Sequence, residues 1–490
     1  MNCEYCGSLN LKNLGVRFLG KERKIKYKCN NCGSEHYADC SANKPVYGTN
    51  FVVTSATDGF PINKRFLEVL KNYCVVNSAR LIILPVNNKQ QYNEFNYDEE
   101  IREYLVSDNI QVADDTVIMG SIHLGTTLES PLHGMQSFSK GKSVIFGHPQ
   151  IQLKTLPRKT SKYPPIMCTT GSISIPKYTE NKTAQKANFN HSFSAVFISG
   201  GPVRHIRHLN YDSVGFYDID KYYTENAVKP VTNIDAIVTG DEHVMFHDKT
   251  VYNATYGAGG IVDTLKPAAI VRHDVLDCFS ISHHHKNNVF VRYGKRAAEI
   301  DSIERELDLT IKFIEDTTPN YAKSWVVPSN HNSHLMKWLN DADPKLDLTN
   351  AKLYHKLMYM MLDNVTVSDT NIPAYPDPFE LYSRDKVSDR VVFLKAEQQY
   401  MLHGIDLNNH GDRGINGSRG NISSFKDLPH KTVIGHSHSP GIEKGVYQTG
   451  TSTLLRLEYN SGLSSWHHAH CLIYPNGKRQ LIFIQDGVWR

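Results

Sequence analysis

The chain has 490 residues and a formal net charge of +4, and 40% of its residues are hydrophobic while 21% are charged. This balance excludes a disordered chain, and no window of about 18 apolar residues predicts a transmembrane helix. The length is enough for about two to four domains.

The first residues and the cysteines indicate the compartment. Residues 1–6 lack the basic and apolar regions of a secretion signal. Nine cysteines, an odd number, in such a chain argue against a disulfide framework. We therefore expect a cytoplasmic protein of a prokaryote, encoded by the host or by a phage, with no membrane partner. Whether it forms an oligomer stays open.

Residues 1–45 contain two Cys-x-x-Cys pairs at the spacing of a zinc ribbon, Cys3 with Cys6 and Cys29 with Cys32. The twenty-two residues between the pairs are enough for the hairpins of such a module. Four thiolates suit a closed tetrahedral site for one structural zinc ion, and so short a segment needs the metal in order to fold. We predict a zinc ribbon here.

The same segment holds the excess positive charge of the chain. Its eight Lys and Arg against four Asp and Glu give a net charge of +4, equal to that of the whole chain. Basic residues interleaved with Phe18, Tyr27 and Tyr37 are typical of a surface for a nucleic-acid backbone. The segment resembles the N-terminal zinc ribbons of transposases and other DNA-binding proteins, which implies DNA as a partner. A protein-interaction module stays the alternative.

Residues 46–231 are predicted to form a second α/β domain, which binds nucleic acid or regulates the rest of the chain. Strand-like residues 51–54 and 80–85 flank an amphipathic helix at residues 63–74, and this order predicts a βαβ unit with parallel strands. Asp58 follows the first strand as a metal ligand would, but no further cluster of metal-ligand residues follows at suitable places. We therefore reject Asp58 as the start of a metal site. Separately, we predict no internal repeat in the chain.

One stretch within this region has an uneven charge. Residues 130–179 contain no acidic residue but seven basic ones. Such a stretch can position a polyanion through its phosphates without reading a base sequence. A solvated loop face explains the pattern equally well, and both interpretations stay open.

Residues 232–490 carry clusters of Asp, Asn and His, each at the end of a short apolar run. The runs at residues 235–238, 268–271, 325–327, 400–402 and 432–434 are typical of buried strands. The loops at the carboxyl ends of the strands of an α/β sheet meet at one crevice, so the clusters should converge. The side chains concerned are Asp241, His243, Asp274, Asn330, His331, His403, His436 and His438.

These residue types are the ones that two neighbouring divalent cations require. Such a pair needs a carboxylate shared between the metals, with neutral imidazoles and amide oxygens completing the coordination without excess negative charge. Two cations about 3.5–4 Å apart lower the pKa of a bridging water and hold a phosphoryl group for in-line attack. We therefore predict a site for two metal ions.

The order of these motifs resembles the calcineurin-like metallophosphoesterase superfamily over about residues 232–490. The most specific part is Gly435-His-Ser-His438, and Gly445-Val-Tyr-Gln-Thr-Gly-Thr451 follows it as in the family. The resemblance implies a two-sheet core, a mixed β-sandwich flanked by helices, that ends in antiparallel strands.

The resemblance also implies a role for each residue. The first metal would be held by Asp241, His243 and His438, with Asp274 bridging to the second metal. The second metal would be held by Asn330, His403 and His436. His331 would act beside the scissile phosphate as proton donor or charge stabiliser.

Two departures from the family pattern concern the neighbours of these ligands. The motif around His331 has Ser329 and Asn332 where the family has Gly and a carboxylate, so His331 is expected to be a weaker acid. The motif around Asp274 has His273 where the family prefers Gly, which adds an imidazole beside the metals. Neither departure removes a ligand.

The Gly-rich loop at residues 408–420 offers further candidates. Backbone amides of the loop, together with His410, Arg413 and Arg419, could bind a phosphate next to the metals. His410 is also the rival of His403 as a metal ligand. We prefer His403, because it directly ends a strand-like run.

Residues 345–389 are predicted to form a cap insertion beside the cleft.

The function that fits this combination best is a metal-dependent phosphodiester hydrolase, and the basic ribbon favours DNA as the substrate. We predict a Mn²⁺-dependent DNA nuclease that attacks with a hydroxide held by the two metals, with iron or zinc as alternatives to manganese. Two other functions stay open. One is a phosphatase or phosphodiesterase for a small or protein substrate. The other is a DNA-binding or replication-associated protein with a degenerate metal site, to which Asn332 gives weight.

Overall fold

The computed structural model describes residues 3, 5, 6, 8, 11–19, 22–39, 48–87, 93–159, 163–367, 372–457 and 460–490. In the N-terminal segment, β1 (Leu11–Leu19), β2 (Glu22–Cys29) and β3 (Glu35–Asp39) form a three-stranded antiparallel sheet. The hairpin expected between the two cysteine pairs is therefore present. The end of the predicted ribbon, residues 40–45, lies outside the described residues.

The next region, up to residue 230, consists mostly of strands, with two α-helices among its described residues. Its elements are β4 (Asn50–Thr57), α1 (Lys64–Val76), β5 (Ala79–Val86), β6 (Asn109–Ala113), β7 (Thr116–Met119), β8 (Ser143–Phe146), β9 (Gln152–Thr155), β10 (Ile166–Thr169), α2 (Lys182–Phe189), β11 (Ser194–Ile198), β12 (Ile206–Asn210), β13 (Gly215–Asp218), β14 (Lys221–Thr224) and β15 (Val228–Pro230). β4 and β5 pair in parallel on either side of α1, which confirms the predicted βαβ unit.

The C-terminal region contains most of the helices. Its elements are β16 (Ala236–Val238), α3 (Lys249–Tyr256), α4 (Ile261–Leu265), β17 (Ala269–Arg272), α5 (Val289–Ala297), α6 (Ile303–Asp316), β18 (Lys323–Val326), α7 (Asn330–Asp341), α8 (Ala351–Asp363), β19 (Thr366–Val367), β20 (Pro373–Ala374), α9 (Pro378–Ser383), β21 (Val391–Phe393), β22 (Met401–Leu402), β23 (Ile405–Asp406), β24 (Lys431–Ile434), β25 (Gly441–Glu443), β26 (Val446–Gln448), β27 (Ala469–Ile473) and β28 (Arg479–Phe483).

Three sheets build the body of the molecule. The largest has ten strands in the order β22-β23-β24-β26-β25-β9-β10-β8-β7-β6. A six-stranded sheet has the order β21-β18-β17-β16-β27-β28, and a four-stranded sheet the order β12-β11-β4-β5. The α/β class predicted from the sequence is confirmed. The ten-stranded sheet contains strands from both sides of residue 231, so the predicted boundary there does not separate two sheets.

One buried core connects the three sheets. Val433 of the ten-stranded sheet belongs to the same apolar cluster as Val53 of the four-stranded sheet and Val238 of the six-stranded sheet. The edge strands of the two smaller sheets, β12 and β28, contact each other. The Gln480 side chain of β28 donates a hydrogen bond of 3.1 Å to the His208 carbonyl of β12. They therefore cover the ten-stranded sheet as one layer.

Helix α6 illustrates how the sequence places the elements around the cleft. Ser302 caps its N-terminus, since the Ser302 hydroxyl accepts a hydrogen bond of 3.3 Å from the Arg305 amide. Ile303, Leu307 and Ile314 recur at helical spacing and are buried. The helix packs through this face and leads into β18, the strand that precedes Asn330.

The predicted cap insertion at residues 345–389 contains α8, β19, β20 and α9, while residues 368–371 lie outside the described part. Leu357 of α8 and Phe379 of α9 share a buried cluster with Leu335 of α7. The insertion therefore packs on the helix that begins at Asn330. Among the described residues, no helix combines the length and the apolar character needed to cross a membrane.

Candidate metal centre

The predicted ligands lie at the carboxyl ends of parallel strands in both layers. In the six-stranded sheet, β16, β17 and β18 run parallel, and in the ten-stranded sheet β23 and β24 do. The loop after each of these strands carries one or more candidates. In strand order they are Asp241 and His243, His273 and Asp274, Asn330 and His331, His410, and His436 and His438.

Two groups of ligand atoms overlap at Asp274. In one group, Asp241, His243, Asp274 and His438 place their ligand atoms within 4.8 Å of one another. In the other group, the ligand atoms of Asp274, His410 and His436 also lie within 4.8 Å of one another. Nε2 of His438 is 3.1 Å from Oδ2 of Asp241, and Nε2 of His410 is 2.9 Å from Oδ2 of Asp274. Asp274 is thus the one carboxylate that both groups share.

Several buried oxygens of the centre have no hydrogen-bond partner among the described residues. They include Oδ1 of Asp241, Oδ1 of Asp274 and Oδ1 of Asn330. Buried polar atoms are almost always paired, because an unpaired one costs about 1–3 kcal/mol. Oxygen atoms held in this way beside imidazole nitrogens are a donor set that fits a divalent cation.

Electrostatics within the centre are those of a site that attracts cations. Burial would raise the pKa of Asp241, but His438 and His410 lower it to about 2. Burial would lower the pKa of His410, but Asp274 and Asp241 raise it to about 9. The pKa of His243 is likewise raised to about 9, against burial, by Asp277 and the other carboxylates. The carboxylates therefore create a negative potential at the imidazoles.

The backbone is held in an uncommon conformation at four of these residues. His243, Asp274, His436 and His438 have φ values of 34°, 44°, 72° and 59°. Left-handed backbone at a residue other than glycine costs on the order of 1–3 kcal/mol and persists where the surroundings enforce it. Gly435 allows the close approach, since a Cβ atom there would lie 2.3 Å from Oδ1 of Asp241.

Asp277 and His331 support the centre from one side. Oδ2 of Asp277 lies 2.9 Å from Nδ1 of His243, which leaves Nε2 of His243 facing Asp274 and His438. Nδ1 of His331 lies 2.7 Å from the carbonyl oxygen of Asp277, and its ring is 4.6 Å from that of His243. His331 is therefore fixed by a carbonyl. Sequence reasoning gave Asp277 no role, although it belongs to the same Asp-x-x-Asp motif as Asp274.

Both departures from the family pattern have a structural place. His273 is fully buried, and its Nδ1 lies 3.3 Å from Nδ1 of His410, so the extra imidazole packs inside the centre. The Asn332 side chain contacts the Ser329 hydroxyl at 3.4 Å and the carboxyl of Asp377 at the start of α9. It contributes to the junction with the cap insertion.

The preference for His403 over His410 does not agree with the structure. β22 and β23 form a hairpin whose turn is His403 and Gly404, with φ values of 51° and 71°. The strand parallel to β24 is β23, so His403 precedes it and His410 follows it. Nε2 of His403 bonds to Asp235, which precedes β16, at 2.5 Å. His403 therefore lies at the opposite ends of the strands from the centre.

The two arginines proposed for phosphate binding lie on the loop after His410. Arg413 and Arg419 form an antiparallel backbone bridge, and both side chains are exposed. Nε of Arg413 lies 3.6 Å from the carboxylate of its neighbour Asp412. They stay candidates for contacting an anion at the rim of the cleft.

The four cysteines of the predicted ribbon also come together. The Sγ atoms of Cys3, Cys6, Cys29 and Cys32 lie within 4.8 Å of one another, and none is in a disulfide. Nε2 of His36 lies 3.2 Å from Sγ of Cys3. This arrangement is compatible with a zinc ribbon.

Comparison with known proteins identifies one similar phage protein. No family model and no solved structure matches the chain. A protein of Escherichia phage T5 named "Protein A1" is 29% identical over 467 residues, which cover 90% of this chain and 82% of that protein. The similarity therefore extends over both halves of the fold and is not confined to the candidate metal centre.

Proposed function

We propose that this chain is a metal-dependent phosphodiester hydrolase, and that DNA is its substrate. The observation that carries the proposal is the pair of overlapping ligand groups that share Asp274. A shared carboxylate is what two neighbouring cations require, and the unpartnered oxygens of Asp241 and Asn330 fit the same interpretation. The two-layer arrangement of the sheets supports the resemblance to the metallophosphoesterases.

The set of ligands is complete when His410, and not His403, is assigned to the second ion. Asp241, His243 and His438 would hold one ion, and Asn330, His410 and His436 the other, with Asp274 between them. Two bound cations would lower the pKa of a shared water and neutralise the phosphoryl oxygens. Manganese suits this mixture of carboxylate, amide and imidazole donors, and iron or zinc are alternatives.

The remaining residues would position the ligands and the substrate. Asp277 orients His243, which fixes the nitrogen that faces the metals. His331 is held through Nδ1, which leaves Nε2 as the atom that can donate a proton or a hydrogen bond to a phosphate oxygen. Arg413 and Arg419 would contact the anion at the rim.

The charge distribution favours DNA as the substrate. The ribbon segment carries the whole net charge of +4, and its aromatic residues are interleaved with the basic ones. Neutralising phosphates releases counterions, so binding through this segment would weaken steeply as salt concentration rises. In this arrangement the ribbon would hold the strand and the metal centre would cut it.

The test compares substrates and metals with full-length protein. Metal-free protein would be reloaded with manganese, magnesium, zinc or iron, and assayed on plasmid DNA, single-stranded DNA and bis-para-nitrophenyl phosphate. We expect DNA cleavage with manganese, and a loss of more than about 100-fold for Asp274→Asn, since even the partners of metal ligands account for 10–100-fold. Turnover of the small ester with uncut DNA would instead indicate a phosphodiesterase for small substrates.

A further inference from the structure

The two halves of the ten-stranded sheet have the same strand order. On one side the order is β6-β7-β8-β10-β9, and on the other it is β22-β23-β24-β26-β25. The pairings also agree, since in each half they are antiparallel, parallel, parallel and antiparallel along that order. The corresponding strands also follow one another along the chain in the same order.

The opposite layer repeats in the same way. The four-stranded sheet has the order β5-β4-β11-β12, and the matching part of the six-stranded sheet is β17-β16-β27-β28. The pairings are parallel, antiparallel and antiparallel in both. We call residues 50–210, from β4 to β12, the first copy, and residues 236–483, from β16 to β28, the second copy. Nine strands of each correspond.

Loops after corresponding strands match in sequence. Gly147-His-Pro-Gln150 follows β8, and Gly435-His-Ser-His438 follows β24. Thr170-Gly-Ser172 follows β10, and Thr449-Gly-Thr451 follows β26. Both the topology and these loops indicate that the two copies are versions of one fold.

The bridges made by the second of these loops are equivalent as well. Ser172 forms a parallel bridge with Phe193, the residue before β11. Thr451 forms a parallel bridge with His468, the residue before β27. Since β11 and β27 are corresponding strands, the two bridges occupy the same place in the two copies.

The first copy lacks most of the metal ligands. Gln150 stands at the position of His438, and Ser55 stands at that of Asp241, since equivalent loop hydroxyls donate to their carbonyl oxygens. The strand and helix that bring Asn330 to the centre, β18 and α7, have no counterpart in the described part of residues 50–210. Among the described residues of the first copy, no group of His, Cys, Asp and Glu is close enough to hold an ion.

The histidine that remains in the first copy is used for internal hydrogen bonds. The Gln150 amide donates to Nδ1 of His148 at 3.0 Å, and Nε2 of His148 donates to the Gly125 carbonyl at 3.1 Å. Burial lowers the pKa of His148 to about 4, which keeps the ring neutral. Its counterpart His436 instead has a ring nitrogen within 4.8 Å of a carboxylate oxygen of Asp274.

The copies meet edge to edge. Leu153 at the centre of the β9 ladder is opposite Ile442 of β25, and both side chains are buried. An unpaired strand edge presents free N–H and C=O groups that promote association with other chains. Because each copy covers an edge strand of the other, the pairing completes both the sheet and its core.

We propose that the first copy is a metal-free duplicate of the second and acts as its permanent pairing partner. One chain then contains the equivalent of a dimer with a single metal centre. The antiparallel β9–β25 ladder places the carboxyl ends of β8 and β24 at opposite edges of the sheet. The first copy therefore supports the centre through the shared core. The position of the metals rests on the function proposed above, whereas the pairing does not.

Substitutions at corresponding positions test which copy binds metal. In full-length protein dialysed against manganese, Ser55→Ala and Gln150→Ala should retain the wild-type manganese content by elemental analysis. Asp241→Asn and His438→Ala should each weaken manganese binding by about 10–100-fold or more. Equal losses from the first-copy variants would contradict the proposal. A wild-type chain that binds no manganese would refute the proposed function, and the pairing would then be decided by unfolding.

Calorimetric unfolding of the full-length chain tests the pairing. Leu153→Ala in the first copy and Ile442→Ala in the second should each lower the midpoint of one shared transition by several degrees. Valine at the same positions gives a milder pair of variants if an alanine variant does not fold. Two separate transitions, each shifted only by the substitution in its own copy, would overturn the proposal.

Discussion

Arg272 and Glu242 form an ion pair that is completely buried behind the candidate metal centre, with 3.0 Å between Nη1 of Arg272 and Oε1 of Glu242. Glu242 lies between Asp241 and His243, and Arg272 directly precedes His273. The pair therefore ties together the two loops that carry the first candidate ligands. It gives a physical reason why these loops can keep a strained backbone.

Glu242→Gln would leave Arg272 buried without its counter-charge. Removing one partner of a buried pair costs about 3–5 kcal/mol, so we expect the free energy of unfolding to fall by that amount. Urea denaturation at neutral pH measures it. Asp316→Asn breaks the exposed pair between Lys312 and Asp316 and should cost less than about 1 kcal/mol. Equal costs for the two variants would mean that the buried pair does not lock the loops.

His410 and His403 provide a matched pair of variants. His410→Ala should lower manganese affinity and cleavage by more than about 100-fold, because His410 lies 2.9 Å from Asp274 in the centre. His403→Ala should leave both close to wild type, since His403 bonds to Asp235 at the other ends of the strands. Isothermal titration with manganese distinguishes the two. A metal defect in His403→Ala would restore the ligand assignment made from the sequence.

Asp277 is expected to act through His243. Asp277→Asn weakens the contact that fixes the orientation of the imidazole, so manganese affinity should fall by about 10–100-fold. Activity should return at saturating manganese, because the ligands themselves are intact. Asp263→Asn, on the surface, is the control and should change neither quantity. Activity that stays low at every manganese concentration would assign Asp277 a direct part in the reaction.

The order of motifs was enough to predict which loops form the centre. Asp241, His243, Asp274, His436 and His438 come together because each follows a strand whose apolar run is visible in the sequence. The hairpin turn could not be located in the same way. A run of apolar residues does not reveal its direction, so the strand before His403 was taken for the parallel one.

The repeat escaped sequence analysis for a different reason. We predicted no internal repeat, whereas the same strand order occurs twice in the structure. Strand order is what the two copies share, whereas Ser55 and Gln150 stand where Asp241 and His438 would have shown the relation. The match between the loops at Gly147 and Gly435 was the available signal. The Arg272–Glu242 pair had no such signal, since partners across a sheet follow only from the fold.

The cysteine cluster predicts a separable zinc site. Cys29→Ser should remove one zinc ion per chain and weaken DNA binding, while hydrolysis of bis-para-nitrophenyl phosphate continues, because the metal centre is built from other loops. Zinc content and DNA affinity at several salt concentrations measure the two effects. Cys74→Ser, in α1, should retain the zinc. Unchanged DNA affinity after loss of zinc would separate the ribbon from substrate binding.

Asp218 links the copies through a buried network that should make stability depend on pH. Its carboxylate receives two hydrogen bonds from Arg207, at 2.8 and 2.9 Å, and others from Tyr73 and Gln480. Burial opposes ionisation, but Arg207 and these donors lower the pKa of Asp218 below 3.8. A depressed pKa stabilises the fold above the unfolded value, and this contribution is lost as pH falls through the folded value.

Asp218→Asn should therefore cost about 3–5 kcal/mol at pH 7, where Arg207 loses its counter-charge. The difference from wild type should shrink as the pH falls through the lowered pKa of Asp218, because the wild-type carboxyl is then protonated as well. Urea unfolding at pH 7 and at a series of lower pH values gives the comparison. A difference that stays constant across this range would show that Asp218 contributes through packing, since a contribution from its charge must vanish when the proton is bound.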